Sequence, residues 1–262
     1  MRKLARWIAT HRRASSIISF VFWTGMVCVN IRIDGPMWLF FIIAVFGMLM
    51  SNVVINTAPV ESIKQEAKAF TDHCDPYPLI EAIPELLEYK HTDWIEVGLR
   101  LDYGNALAES GQYQTALDQL LEINIDKSPA TPNSLKALYY VDLYECYAAL
   151  EQNEQAEIWY QKAMTIYRDT KEDKLKKSMA VSMAITAGEY ALQHDKLEEA
   201  MVQYEQAQEN TMIERVMRRF LLARILLKQG KTDEARSALE YVVSNGNKLH
   251  AVNLAQELLE TI

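Results

Sequence analysis

The chain has 262 residues, half of them hydrophobic, with 27 Lys and Arg against 35 Asp and Glu and a net charge of −8. That length holds one or two domains with a sizeable core. The acidic balance argues against nucleic acid as a main partner, because binding to a phosphate backbone is driven by clustered Lys and Arg. Cys28, Cys74 and Cys146 are scattered and odd in number, unlike a disulfide framework.

Residues 1–13 are expected to be a basic cytoplasmic segment lying in a membrane interface. Leu4, Trp7, Ile8 and His11 fall on one helical face, with Arg2, Lys3, Arg6, Arg12 and Arg13 on the others. Each basic residue near anionic lipid contributes ~1 kcal/mol, so the segment reads as an anchor and a topology signal.

Residues 14–56 are expected to form a transmembrane hairpin. Ala14 to Ile31 carries no charge, Arg32 to Gly35 interrupt, and a second uncharged run extends from Pro36 to Ile55. The pattern predicts helices over about 14–33 and 36–55, each long enough at ~1.5 Å per residue to cross roughly 30 Å of hydrocarbon. Val27-Cys28-Val29 lacks the small residues of a signal-peptide cleavage site. Ser15, Ser16, Ser19 and Thr24 make the first helix less apolar, and their hydroxyls can bond to helix carbonyls or across to the second helix. The basic residues before the first helix outnumber the loop's Arg32, which Asp34 offsets, and Lys64 and Lys68 follow the second. The positive-inside rule then puts both termini in the cytoplasm, with a bacterial inner membrane as the best fit. Residues 1–56 hold six basic residues against one Asp, leaving 21 basic against 34 acidic in the remainder.

Residues 57–93 are expected to be a linker and a degenerate leading helix pair. Asn56-Thr57-Ala58-Pro59 ends the second membrane helix, one helix runs from about Glu61 to Asp72, and another from Asp75-Pro76 to about Tyr89. Pro76 and Pro78 suit a first helical turn, whereas Pro84 falls inside the helix and is expected to kink it.

Residues 94–262 repeat one helix-pair pattern four times. Ala116, Ala156, Ala200 and Ala235 are each followed four residues later by Leu120, Tyr160, Tyr204 or Leu239, and preceded by twelve by Gly104, Tyr144, Gly188 or Ala223. The pairs are expected at about 94–110 with 112–125, 134–150 with 152–168, 178–194 with 196–209, and 212–228 with 231–244. Ser110-Gly111, Gln152-Asn153, His194-Asp195 and Gln229-Gly230 are the expected turns, and 127–132 and 170–177 the longer connections. Lys248 to Leu259 is amphipathic and is expected to cap the end. Small residues let helix backbones approach, so the fold expected is all-α, a transmembrane hairpin followed by an α-solenoid.

These marks resemble the tetratricopeptide repeat family, most closely in Gly111-Gln-Tyr-Gln-Thr-Ala116 and Gly230-Lys-Thr-Asp-Glu-Ala235. Arg100, Tyr140, Ala184 and Arg219 stand where that family has Trp, and Pro129 approximates its closing proline. The resemblance implies a partner-binding groove lined by the first helix of each pair. Its positions are Leu101, Asn105 and Ala108, then Val141, Glu145 and Ala148, then Ile185, Glu189 and Leu192, and finally Phe220, Arg224 and Leu227. No Lys occurs there, so capture of a peptide's terminal carboxylate is not implied. An apolar stripe of Leu101, Val141, Ile185 and Phe220, flanked by Glu145 and Glu189, suits a basic amphipathic helix or an extended segment. The alternative is a groove filled by the chain's own helix 61–72.

No metal, phosphate-loop or nucleophile motif is present, and His73-Cys74-Asp75 reads as a capped helix end. Arg215, Arg218, Arg219 and Arg224 form one basic cluster, a salt-bridge partner for Glu189 or a site for an acidic ligand. The functional expectation is a non-catalytic, cofactor-free protein–protein scaffold or adaptor at the cytoplasmic face of a membrane, with no small-molecule substrate. A structural subunit of a membrane complex and a peptide-sensing membrane regulator are the alternatives.

Overall fold

The computed structural model describes residues 2–32, 36–126, 132–171 and 173–262, without the side chains of 2, 30–32, 173–175 and 178. Asp34, Pro129, most of the connection 127–132 and residue 172 therefore lie outside the described residues. The described residues are all-α and contain no strand. The helices are α1 (Arg2–Thr10), α2 (Arg12–Arg32), α3 (Met37–Ser62), α4 (Lys64–His73), α5 (Tyr77–Leu87), α6 (Asp93–Glu109) and α7 (Tyr113–Leu121). They continue with α8 (Asn133–Ala149), α9 (Asn153–Asp169), α10 (Asp173–Gln193), α11 (Leu197–Gln206), α12 (Met212–Lys228), α13 (Thr232–Asn245) and α14 (His250–Glu260). Two compact units form, one of residues 1–65 with 84–96, the other of 66–83 with 97–262. Residues of the segment 57–93, which contains α4 and α5, fall in both units.

In the first unit α1 and α2 both pack on α3. The α2–α3 seam is built from small side chains and one large one. Ala44 and Gly47 are buried on α3, and the indole of Trp23 occupies the space a side chain at position 47 would need. Trp23 Nε1 donates to Ser51 Oγ at 3.1 Å, whereas the buried Ser15 hydroxyl of α2 has no hydrogen-bond partner. Away from the seam both helices present apolar side chains outward, among them Ile17, Phe20 and Phe22 on α2 and Trp38, Phe41 and Phe46 on α3. One described helical stretch, Met37–His73, is long and apolar enough to cross a membrane, with a window of mean hydropathy 2.3 that is only 17% buried. Two spans were expected. Among the described residues α2 is not a second such stretch.

The linker expected at Asn56–Pro59 is absent: α3 runs through Pro59 to Ser62. Proline removes one amide donor from a helix, and the turns around it are tied by hydroxyls. Thr57 Oγ1 donates to Val53 O at 3.0 Å, and Ser62 Oγ donates to Pro59 O at 2.7 Å. The helix yields instead at Ile63, whose amide donates to Val60 O.

In the second unit, the expected helix pairs appear as α6/α7, α8/α9, α10/α11 and α12/α13, a helical-repeat-like array. α7 stops at Leu121, short of the expected 125, and α10 begins earlier than expected. Each pair reverses through one residue in the left-handed region: Gly111 (φ 86), Glu151 (φ 58), Asp195 (φ 57) and Gly230 (φ 73). The next residue's amide then donates five residues back, Gln112 to Leu107 O, Gln152 to Tyr147 O, Lys196 to Ala191 O and Lys231 to Leu226 O, all at 2.9 Å. This is the Schellman arrangement that satisfies orphan carbonyls at a helix end. Five residues beyond each left-handed residue stands a marker alanine, and all four are buried.

The small residues twelve positions earlier receive the partner helix. Leu120 fills the space beside Gly104, and Leu221 of the following pair fills that beside Gly188. Tyr144 occupies the same slot in the second pair and is itself buried. Its ring packs against Tyr160 at 5.6 Å and Tyr190 at 6.5 Å, and its hydroxyl donates to Gln193 Oε1 at 3.2 Å. Cys74 and Cys146 are buried as well.

The last helix, α14, packs on α13 and α12, but its first turn also reaches the first pair. The His250 ring lies against Gly111 and meets Tyr113 edge-on at 5.8 Å. Lys248 pairs with Asp75 at 2.8 Å, and Asn247 Nδ2 donates to His73 O at 2.8 Å.

The turns yield a direct test. A non-glycine residue in the left-handed region costs on the order of 1 kcal/mol, so Glu151→Gly is expected to stabilise the fold by about 0.5–1 kcal/mol. Gly111→Ala is expected to destabilise by about 2 kcal/mol or more, since it adds both that cost and an overlap with His250. Denaturant unfolding of the two variants checks both signs.

Candidate functional site

The first helices of the four pairs, α6, α8, α10 and α12, share one face of the second unit, and two cavities open on it. The smaller, about 220 Å³, is lined by Asn105, Glu109, Val141, Asp142, Glu145, Ile185 and Met217, with Phe70 and Thr71 of α4 on one wall. The larger, about 620 Å³, is lined by Glu109, Tyr113, Tyr144, Glu145, Glu189, Phe220 and Arg224, with His250, Leu254, Glu257 and Leu258 of α14 opposite. The chain's own helices therefore wall both cavities, α4 in part as the alternative reading expected and α14 in addition.

Helical spacing explains why these residues converge. Asn105 and Glu109 are one turn apart on α6, as are Asp142 and Glu145 on α8, Ile185 and Glu189 on α10, and Phe220 and Arg224 on α12. Of the residues expected to line a groove, Asn105, Val141, Glu145, Ile185, Glu189, Phe220 and Arg224 border one or both cavities. Leu101, Leu192 and Leu227 border neither, Leu101 lying in the core with Leu107, Leu120 and Leu143 and Leu192 in the core with Leu221 and Ile225. The apolar stripe is not an exposed band, because Leu101, Val141, Ile185 and Phe220 are all at least nine-tenths buried. The lining of both cavities is mostly apolar, and its polar part comes from ionisable side chains and their neighbours.

That polar lining is an array of carboxylates with few counter-charges. Asn105 Nδ2 donates to Asp142 Oδ1 at 3.4 Å, Thr186 Oγ1 donates to Glu145 Oε1 at 3.4 Å, and Arg224 forms an ion pair with Glu189. Burial disfavours the charged form and lifts the Glu109 carboxyl to about 7 and that of Asp142 to about 8. Glu145 is pushed well above the ordinary carboxylate range, by burial first and then by the charges of Asp142 and Glu109. Glu189 is raised by burial too, with Arg224 acting in the opposite sense. The Tyr113 and Tyr144 phenols are raised, again chiefly by burial.

Glu109, Asp142, Tyr113 and α14 were not singled out from the sequence. Glu109 and Asp142 carried a usable signal, since each lies three or four residues from a groove position on its own helix. The contribution of α14 had no local signal, because it depends on the array returning to its first pair. The basic cluster disperses: Arg218 pairs with Glu209 at 2.8 Å, Arg219 lies over Tyr241, and Arg224 takes Glu189. Asp75 receives the Tyr77 amide at 3.2 Å, so His73-Cys74-Asp75 forms a helix junction. Among the described residues no group of His, Cys, Asp and Glu is arranged to hold a metal ion. Comparison with protein-family models, with curated proteins and with solved structures finds no match to this chain.

The raised carboxyls set an unusual pH dependence. An acid that binds its proton more tightly when folded leaves the native chain with more bound protons than the unfolded one. Stability contributed in this way is present at low pH and is lost as the pH rises from about 4 through about 8. The thermal midpoint of the second unit is expected to fall between pH 5 and pH 8. Asp142→Asn keeps the acceptor for Asn105 and is expected to raise the midpoint at pH 8 by about 3–6 °C. Thermal melts of the full chain in neutral detergent across that range decide the matter, and a flat profile would contradict the burial argument.

Proposed function

We propose that this chain is a membrane-anchored, non-catalytic adaptor, whose helix-pair array is a solenoid similar to the tetratricopeptide repeat family. In this reading α2 and α3 form a two-helix transmembrane hairpin in a bacterial inner membrane, with both termini on the cytoplasmic side. The outward apolar side chains of both helices support the hairpin, and Arg6 in α1 with Arg12 and Arg13 at the start of α2 support the orientation.

One observation carries the binding role. Four carboxylates from three consecutive first helices (Glu109, Asp142, Glu145 and Glu189) border cavities whose walls are otherwise mostly apolar, with Glu214 and Glu257 adding further negative charge, and Arg224 is already paired. Such a surface complements a segment that brings Lys or Arg together with apolar side chains. Holding adaptor and partner at one membrane raises their effective concentration, so a modest affinity suffices.

The lining also predicts linkage. A cationic partner favours the ionised carboxylates, so binding draws protons off Glu109, Asp142 and Glu145 and tightens as the pH rises from 6 to 8. Fluorescence anisotropy of full-length protein with a Leu-striped, Lys-rich helical peptide tests this against the counterpart carrying Glu in place of Lys. The Lys peptide is expected to bind at least about tenfold more tightly, and Glu109→Gln with Glu145→Gln to remove most of that preference. Charge reversal at Glu189 is a poorer probe because it strands Arg224. Equal binding of the two peptides at pH 8 would remove the groove reading.

A further inference from the structure

The first unit contains a cavity of its own, of about 980 Å³, between residues 10–17 at the start of α2 and residues 88–92. Arg12 fixes its floor: the guanidinium donates to Lys90 O at 3.1 Å and to Asn56 Oδ1. Arg13 and Lys90 also line the cavity, and neither has a carboxylate partner among the described residues. Thr92 stands in the same wall with a buried hydroxyl that has no hydrogen-bond partner. Glu88 is the one carboxylate in the lining. The cavity therefore offers two uncommitted cations against a single negative charge.

Its other edge is apolar. Ile17 lines it and is 63% exposed, and Ile18, Phe20 and Val21 continue outward along α2 without cover. A ligand matching both edges has an anionic head beside a hydrocarbon chain. We propose that this cavity binds the phosphate headgroup of an anionic phospholipid, with an acyl chain lying along the exposed face of α2. Basic pockets at the end of membrane helices have the electrostatics for such headgroups, and each cation near an anionic lipid adds to the attraction. This goes beyond the basic amino terminus as a diffuse anchor, since residues 88–92 are far along the chain and contribute Lys90 and Thr92. It rests on the reading of α2 and α3 as membrane helices.

The test uses full-length protein in a neutral detergent and short-chain lipids that disperse freely. Titration calorimetry with dioctanoyl-phosphatidylglycerol is expected to give binding at least tenfold tighter than dioctanoyl-phosphatidylcholine. The double variant Arg13→Gln, Lys90→Gln is expected to lose at least tenfold toward phosphatidylglycerol. Arg12 is left intact because it holds Asn56 and Lys90 in place. Far-UV circular dichroism checks that the variant stays helical, and Lys90→Gln alone carries the comparison if it does not. Inorganic phosphate at millimolar concentration is expected not to compete. Full competition by phosphate would make this a free-anion site and overturn the lipid assignment, as would unchanged affinity in the variant or no preference over phosphatidylcholine. Alkaline carbonate extraction of native membranes separates the two levels of the argument. Release of the protein would remove the membrane reading and the lipid site with it, whereas retention without lipid preference would remove the lipid site alone.

Discussion

Every packing relation in the helix-pair array depends on one backbone event, the reversal through a single left-handed residue whose successor bonds five residues back. Because the event recurs at Gly111, Glu151, Asp195 and Gly230, each second helix leaves its turn in the same direction. The marker alanine then always arrives one turn into that helix, where it is buried. Glycine adopts this conformation without cost, while Glu151 and Asp195 adopt it under constraint. Asp195 is partly compensated, since Lys228 caps the neighbouring Leu192 carbonyl at 3.2 Å and also pairs with the Asp195 carboxylate. The repeat is therefore kept by geometry even where its sequence signature is lost.

Alignment of the first helices has a second effect, which is electrostatic. Side chains that would be solvated on a lone helix are brought to a common face and roofed by α4 and α14. Four carboxylates end up in a setting that resists their ionisation. A buried acid with one weak hydrogen bond, such as Asp142 with Asn105 at 3.4 Å, is a standing cost to the fold rather than a support for it. That cost is relieved when a cation arrives. Under the proposed function, affinity for a basic segment and instability of the empty groove would be two expressions of the same desolvation.

Much of this was legible in the sequence, and what was not has identifiable reasons. Helix positions followed from the spacing of apolar residues, and the turns were placed within a residue because glycine marks two of them. The turn at Glu151 was harder to place because no glycine announces it. Asn56–Pro59 misled for the opposite reason: proline signals a helix end, yet neighbouring hydroxyls let α3 run through it. Nine of the twelve positions implied by the resemblance border a cavity, whereas Leu101, Leu192 and Leu227 do not. Glu109 and Asp142, half of the carboxyl array, were overlooked because they are ordinary surface residues when each helix is considered alone. Only the juxtaposition of α6, α8 and α10 makes them a group.

The burial of Cys74 and Cys146 has a practical consequence. Both thiols lie inside the second unit, and burial pushes their ionisation upward, Cys74 to about 11 and Cys146 further. Because the thiolate is the form that reacts, neither side chain can be alkylated at neutral pH until the helices around it open. Cys74 stands at the α4–α5 junction and Cys146 in the core of the second pair. Their labelling rates would act as two internal clocks, one timing the fraying of the array's edge and the other the opening of its centre.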